Sequence, residues 1–444
     1  MRATKTVHLK VVHLAWPMML AGMTQPLLGI VDTAILGHLD DSVYLGGMAV
    51  GATIISFVVW SLGFLRMSTT GLVAQGLGGE GQFQKGVEVR AVVVRAALLS
   101  LLIAALVLIV HRPLGDYAFS WLAPSQRVQQ HAEIYYQIRI WGLPAALLNY
   151  VAWGALLGLQ RPMAPLVIMV VINVFNIIFD LLLVFGFGLT IDGVAYAAVI
   201  AEYLGLVVAV LLLRKELALW TGSWSLLNVL QRHEFARLLS LNVNILIRSL
   251  CLLFAFAFFT ARGARFGDDV LAANALLLNF QALMAFALDG FAHSTEALVG
   301  EAIGKKKRSE LIAVLKASAW WSMIVAVIFT LLYVLAGGLL IEVMTDIPAV
   351  RLLANDYLWW MILSPLVSVW AFWLDGVFIG ATEGKWMRNT MLFALFVVYL
   401  PAWYVFQSMG NHGLWLALIL FLAARGITMG SVLQRKIVQT VEIK

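Results

Sequence analysis

The sequence contains very little cysteine and very little charge. Its single cysteine, Cys251, excludes an internal disulfide, a zinc cluster and a dithiol redox centre. Charged residues make up only 12% of the 444 residues, whereas 62% are hydrophobic and the mean hydropathy is +0.91. One soluble core cannot bury that much apolar surface, so we expect lipid to surround most of the chain. The basic N-terminus has no small-residue cleavage site, so no signal peptide is predicted.

Sequence motifs of common enzymes are also missing. The chain has no H-E-x-x-H or G-x-S-x-G motif, and the segment 300–305 lacks the spacing of a Walker A loop, which argues against an ATP-driven pump. The segment 76–81 fits G-x-G-x-x-G, but it follows a membrane span and not a strand, so we reject it as a dinucleotide site. We therefore predict a protein that is not an enzyme and has no cofactor, with H⁺ or Na⁺ as a coupling ion.

Many hydrophobic stretches are long enough to cross a bilayer, which takes about 20 residues. We predict spans at 11–36, 46–77, 88–111, 130–159, 163–186, 191–213, 236–260, 270–302, 310–341, 352–381, 385–407 and 412–434. With the N-terminus inside, most Lys and Arg residues fall in inside loops, which predicts a multi-pass protein of the bacterial inner membrane with both termini cytoplasmic. The net charge of +6 then reflects these loops and not nucleic-acid binding.

The second half of the chain repeats the first. Three pairs of segments match at a nearly constant distance: 72–78 with 298–304, 154–158 with 376–380, and 192–197 with 412–417. An even number of spans separates each pair, so the halves have parallel topology. The sequence thus predicts an all-α polytopic protein with twelve transmembrane helices in two pseudo-symmetric six-helix bundles around a central cleft. The predicted parts are an N-terminal bundle at 1–213, a cytoplasmic linker at 214–235 and a C-terminal bundle at 236–444.

Acidic residues inside the spans are the main functional candidates, because a charge at the bilayer centre costs at least about 2.5–3.5 kcal/mol. Asp32 in span 1 follows Pro17 and Pro26, which make that helix bendable. Protonation of such an acid would change its hydrogen bonds and bias the helix. Alternatively, Asp32 pairs with an arginine or caps the helix end near Gly37.

A second polar group lies on span 5. Asn173, Asn176 and Asp180 share one face of the predicted helix, so they should face a cavity or another helix. Together with Asp32 they could form a cation-coupling site. Carboxylate and amide oxygens would suit Na⁺, whereas two close carboxylates sharing a proton would suit H⁺. The alternative is that these residues only hold helices together.

Alternative roles remain open for the other intramembrane charges. Asp289 and Asp375 in the C-terminal half either face the cleft or are neutralised by Arg248. Arg66 in span 2 either partners an acid or extends to the membrane surface. No role is assigned to Glu202.

Three segments resemble the multidrug and toxic compound extrusion (MATE) family. The run 26–39, PLLGIVDTAILGHL, resembles the first helix of that family, and 44–52 and 64–71 resemble its DinF-like subgroup (DNA-damage-inducible). The resemblance covers the whole chain. It implies a monomeric antiporter that exports amphipathic or cationic compounds in exchange for H⁺ or Na⁺.

The resemblance also implies roles for particular residues. Asp32 matches the acid whose protonation bends the first helix in one mechanism proposed for the subgroup, and Gln25 matches a nearby polar position. Asn176 and Asp180 match the amide and acid on the fifth helix, and Asn149 matches a polar position on the fourth. Gln25, Pro26, Asn149, Asn173, Arg66, Asp289 and Asp375 are thus the candidate cavity residues.

The chain departs from the other large subgroup, which places cation-binding acids on its seventh and tenth helices. Here span 7 has no acid while span 10 keeps Asp375, which favours H⁺ coupling through the N-terminal half. An alternative is a flippase for lipids or lipid-linked saccharides, since the wider superfamily includes these. That alternative ranks lower because the intramembrane arginines are few and lie among acids. The expected partners are small amphipathic or cationic substrates and membrane lipids.

Overall fold

The computed structural model describes residues 2–37, 41–79, 81–221 and 229–439. The side chains of residues 2–5, 25–28, 30 and 82 are not described. The predicted cavity residues Gln25 and Pro26 therefore lie outside the described side chains. Part of the predicted linker, 222–228, also lies outside the described residues.

Long helices follow one another along the whole described chain, and no strand occurs in it. We number them α1 (Arg2–Gly37), α2 (Ser42–Gly78), α3 (Phe83–Leu122), α4 (Gln126–Gly158), α5 (Met163–Gly186), α6 (Ile191–Ala218), α7 (Arg232–Phe266), α8 (Asp268–Gly304), α9 (Arg308–Met344), α10 (Pro348–Gly380), α11 (Gly384–Met409) and α12 (Asn411–Val438). Over the described residues, the eleven helices α2 to α12 are long and apolar enough to cross a membrane. The predicted all-α, polytopic membrane architecture is confirmed.

Three helices contain breaks that matter for the site. Helix α4 has a 3₁₀ turn at Ile140–Gly142. Helices α5 and α11, which are the fifth helices of the two halves, change to π-helical turns at Leu181–Gly186 and Ala394–Tyr399. Such π turns occur frequently at functional sites. The residue before the π turn is Asp180 in α5 but Phe393 in α11, so only the N-terminal half carries an acid there.

The chain forms two compact units. One consists of Met23–Leu238, and the other of Met1–Gly22 together with Leu239–Lys444. We call them the N-terminal and the C-terminal unit. The first part of α1 belongs to the C-terminal unit, where Met19 packs against Gly290 of α8. The second part of α1, which carries Asp32, belongs to the N-terminal unit.

The repeated glycines of the sequence have the same role in both units. A methyl group at Gly154 of α4 would overlap the carbonyl oxygen of Arg66 in α2. A methyl group at Gly376 of α10 would overlap the carbonyl oxygen of Ala292 in α8 in the same way. The second glycine of each motif repeats the close approach one turn later. Small residues at this spacing let two helix backbones touch, and each unit uses them to bring its second and fourth helices together.

Candidate functional site

A cavity of about 360 Å³ lies inside the N-terminal unit. Residues of α1, α2, α4, α5 and α6 line it. Most of its wall is apolar, with the aromatic side chains of Trp60, Tyr150 and Trp153. The charged and amide lining residues are Asp32, Arg139, Asn149, Asn173 and Glu202, and Ser56 and Tyr135 add hydroxyl groups. An apolar cavity with a few convergent polar groups is the usual form of a small-molecule site.

Two carboxyl groups meet at one side of this cavity. Asp32 of α1 is 5% exposed, Asp180 of α5 is fully buried, and their carboxyl groups lie within hydrogen-bonding reach of each other. Two ionised carboxylates have no proton to donate to each other. Among the described residues, no other group donates to Oδ1 of Asp32 or to either oxygen of Asp180. Buried carboxylates are normally compensated by donors or cations. Two of them side by side are compatible with each other only when a proton or a cation lies between them.

Two asparagines precede Asp180 on α5 and differ in their contacts. Asn173 lines the cavity and donates from Nδ2 to the carbonyl oxygen of Thr24 in α1, at 3.1 Å. Asn176 is fully buried, and neither polar atom of its side chain has a hydrogen-bond partner within the described residues. Asn173 therefore joins α5 to α1. The amide oxygen and amide nitrogen of Asn176 are available to bind an ion or a substrate.

An ion pair forms a second polar group on the cavity wall. Nη2 of Arg139 in α4 lies 3.2 Å from Oε1 of Glu202 in α6. Asn149 of α4 donates from Nδ2 to the other carboxylate oxygen at 3.2 Å and to the backbone oxygen of Glu202 at 3.0 Å. Arg139 is the last residue before the 3₁₀ turn of α4, and Tyr135 lies beside it one turn earlier.

Neither Arg139 nor Glu202 is among the site residues predicted from the sequence. The available signal was an acid and a base in two spans of the same half, with an asparagine nearby on one of them. Two opposite charges within a bilayer are expected to pair with each other. What the sequence could not give was the register that brings α4 and α6 together at these residues.

The charges around the cavity do not balance. The three carboxyl groups are those of Asp32, Asp180 and Glu202. The two guanidinium groups are those of Arg139 and of buried Arg66, whose Cζ lies 5.9 Å from the centre of the Trp153 ring. If all five groups are ionised, one negative charge is left over. A single proton or a single monovalent cation therefore neutralises the site.

The C-terminal unit contains a different kind of acidic residue. Oδ2 of Asp375 in α10 accepts a hydrogen bond from Arg425 of α12 at 2.7 Å and another from Arg248 of α7. All three side chains are buried, and Asp289 of α8 also acts electrostatically on Arg425. The sequence left open whether Asp375 faces the cleft or is neutralised by Arg248. In the structure its carboxylate is bonded to Arg248 and to Arg425. Asp375 is not a free acid.

The family of the chain follows from comparison with known proteins. The MatE family model matches residues 17–182 and, a second time, residues 245–405. The chain belongs to the MatE family. Its resemblance to multidrug and toxic compound extrusion transporters is thereby confirmed, and the two matches fall one in each half of the chain. The protein is a multi-pass membrane transporter of this family.

Relatives and solved structures agree with this assignment. DNA damage-inducible protein F of Escherichia coli K12 is 43% identical over 95% of this chain and 91% of its own length. A probable multidrug resistance protein NorM of Acinetobacter baylyi is 24% identical over 92% and 91%. The bent form of the MATE transporter VcmN of Vibrio cholerae matches with a TM-score of 0.87 and 20% identity, over 100% of this chain and 99% of that one. At that identity the match supports the fold alone.

Proposed function

We propose that the protein exports amphipathic or cationic compounds in exchange for H⁺, by alternating access of a binding site to the two sides of a bacterial inner membrane. The observation that carries this proposal is the Asp32–Asp180 pair at the edge of a cavity. Its two buried carboxyl groups are adjacent, and three of their four oxygens have no donor among the described residues. The proposal includes a monomer with both termini in the cytoplasm.

Exchange follows from competition for one negative charge. With a proton on the Asp32–Asp180 pair the cavity wall is neutral, and a cation gains nothing electrostatically by entering. A cation that binds supplies the positive charge instead, so the proton becomes dispensable and leaves. Because proton and cation replace each other, one moves inward as the other moves outward. Na⁺ is the competing coupling ion, since Asn176 lies one helical turn before Asp180 on α5 and its amide oxygen has no hydrogen-bond partner within the described residues.

The energetics of a one-for-one exchange are simple. A monovalent cation leaving and a proton entering move no net charge, so the membrane potential does no work on the pair. A pH difference of one unit then supplies about 1.4 kcal/mol. That is enough to sustain roughly a tenfold gradient of the exported cation.

The flippase alternative receives less support from this cavity. An anionic lipid head group would enter a site where carboxyl groups outnumber guanidinium groups, and like charges repel more strongly at low dielectric. The charge balance therefore favours cationic over anionic substrates in the N-terminal unit.

Transport into proteoliposomes under separately imposed gradients tests the proposal. We expect a pH gradient, and not a Na⁺ gradient, to drive tetraphenylphosphonium movement in the wild type. Asp32→Asn and Asp180→Asn should each abolish it. Glu216→Gln is the matched control. Glu216 is on α6, far along the helix from the cavity residues, and its Oε2 lies 2.8 Å from Nε of Arg161 in an ion pair. Transport driven by Na⁺ alone, or undiminished transport by Asp32→Asn, would reject proton coupling.

A further inference from the structure

We propose that Glu202 binds the positive charge of the substrate, and that Arg139 occupies this carboxylate until the proton leaves Asp32. This inference rests on the proposed exchange of H⁺ for a cation. It adds a substrate-binding residue and a mechanism by which substrate binding and proton release are coupled.

Glu202 is the most accessible carboxyl group of the cavity. It is partly exposed, with 16% of its side-chain surface accessible, whereas Asp32 and Asp180 are buried. Its carboxylate is held by one donor on each oxygen, Arg139 and Asn149, both at 3.2 Å. Charge-assisted hydrogen bonds are usually shorter, about 2.7–2.9 Å, so neither contact is tight. A carboxylate held this loosely at a cavity wall is able to accept a different cation.

Arg139 is positioned to serve two carboxyl groups. Its charge acts on Glu202 and also on Asp32. Glu202 is its hydrogen-bonded partner in the structure, which is the arrangement expected when a proton neutralises the Asp32–Asp180 pair. Once that proton leaves, Asp32 becomes the stronger attraction because its buried oxygen Oδ1 has no donor among the described residues. Arg139 then turns towards Asp32 and leaves Glu202 open.

The same exchange works in reverse. A substrate cation that binds Glu202 displaces Arg139, and an arginine arriving at Asp32 favours the ionised form of that acid. Binding of the substrate thus promotes release of the proton. The other charged or titratable groups that face this cluster are Tyr135, Tyr150, Asp180 and Arg66. Arg139 is the group whose charge acts on both Glu202 and Asp32.

The walls around Glu202 indicate the class of substrate. Trp60, Tyr150 and Trp153 line the same cavity. Aromatic faces attract organic cations, and more strongly when the cation is desolvated. A lipophilic monovalent cation with aromatic groups would therefore meet a carboxylate and several ring faces together. Tetraphenylphosphonium has these features, and tetraphenylborate has the same shape with the opposite charge.

Binding to the purified full-length protein in detergent tests the assignment. We expect Glu202→Gln to raise the Kd for tetraphenylphosphonium roughly ten- to hundredfold, the range for loss of a charged hydrogen-bonded contact, and to leave tetraphenylborate binding no weaker. Arg139→Gln should have the opposite effect and tighten tetraphenylphosphonium binding, because the competing guanidinium is gone. Arg139→Lys, which keeps the charge, should stay close to the wild type and is also informative if Arg139→Gln does not fold.

The Arg161–Glu216 pair provides matched controls. Arg161→Gln and Glu216→Gln remove the same chemical groups from an ion pair that also involves α6, at a distance of 2.8 Å, and both should leave the Kd unchanged. If Glu202→Gln weakens binding no more than Glu216→Gln, the assignment is wrong. If Glu202→Gln and Arg139→Gln weaken it equally, the pair is structural and the assignment is also wrong.

The inference and the proposed function fail in different ways. Loss of tetraphenylphosphonium affinity in Glu202→Gln, combined with proton-driven transport that survives Asp32→Asn, would support the binding residue and reject the proposed coupling. Loss of transport in Asp32→Asn with unchanged affinity in Glu202→Gln would do the reverse.

Discussion

Replacing Asp375 by asparagine should destabilise the protein much more than the same change at Asp32. Asp375 is the hydrogen-bonded carboxylate of two buried guanidinium groups, those of Arg248 and Arg425. Removing one partner of a buried ion pair costs about 3–5 kcal/mol, because the remaining charge is left uncompensated. Among the described residues no guanidinium is hydrogen-bonded to Oδ1 of Asp32, and an amide in place of this acid removes a buried charge. Asp32→Asn should therefore be neutral or slightly stabilising while it abolishes transport.

The single cysteine of the chain provides the assay. Cys251 is 8% exposed and lies on α7, the helix that carries Arg248. A maleimide dye should react with it only as the surrounding helices separate, so labelling during a temperature ramp reports unfolding of the C-terminal unit. We expect a clearly lower labelling midpoint for Asp375→Asn. Because Asp32 lies in the N-terminal unit, the loss of helical circular dichroism on heating is followed as well, and there we expect an unchanged or higher midpoint for Asp32→Asn.

A second replacement sharpens this comparison. Adding Arg425→Met to Asp375→Asn removes one of the two uncompensated charges, and hydrophobic replacements of buried ion pairs are often neutral or stabilising. The double variant should therefore recover part of the lost midpoint. The reasoning is refuted if Asp375→Asn is as stable as the wild type, or if Asp32→Asn loses as much stability as Asp375→Asn.

Further predictions concern helix packing and pH. Gly376→Ala should destabilise the C-terminal unit by about 1–3 kcal/mol, because the new methyl group overlaps a backbone oxygen of α8. Gly430→Ala on α12 is the control, since its methyl group meets only an ordinary contact at 3.8 Å. Equal midpoints of the two variants in the labelling assay would contradict this packing. The pKa of Asp41, which precedes α2, is held below its usual range by the backbone N–H of Val43, with Arg127 also contributing. Because the folded-state pKa is lowered, the stability contributed by Asp41 is complete above about pH 4 and is lost as the pH falls further. The difference in thermal midpoint between wild type and Asp41→Ala, followed by the loss of helical circular dichroism, should follow that course, and a difference that grows on acidification would be inconsistent with it.

Much of the fold could be predicted because the bilayer restricts it. Long apolar runs can only be helices there, since every backbone group must be bonded within its own segment. The repeat that contains Gly376 could also be recognised in the sequence, because a close helix crossing tolerates nothing larger than glycine. The π turns after Asp180 and after Phe393 could not be predicted, since nothing in an apolar helical run distinguishes one extra residue per turn.

The candidate site was predictable only in part. Asp32 and Asp180 stood out because buried acids are costly in a membrane, and the structure brings them together. The pairing of Arg139 with Glu202, and the sharing of Asp375 between Arg248 and Arg425, depend on which helix faces meet. That information lies in the packing of side chains between helices and not in the spacing of residues along any one of them.

Proton release on substrate binding tests the central claim most directly. Tetraphenylphosphonium is added to the purified protein in weakly buffered detergent solution, and a pH-indicator dye reports protons set free. The competition for one negative charge predicts about one proton per bound cation in the wild type, and none in Asp32→Asn at saturating ligand. Saturable binding of the cation by the wild type with no proton released would contradict the account.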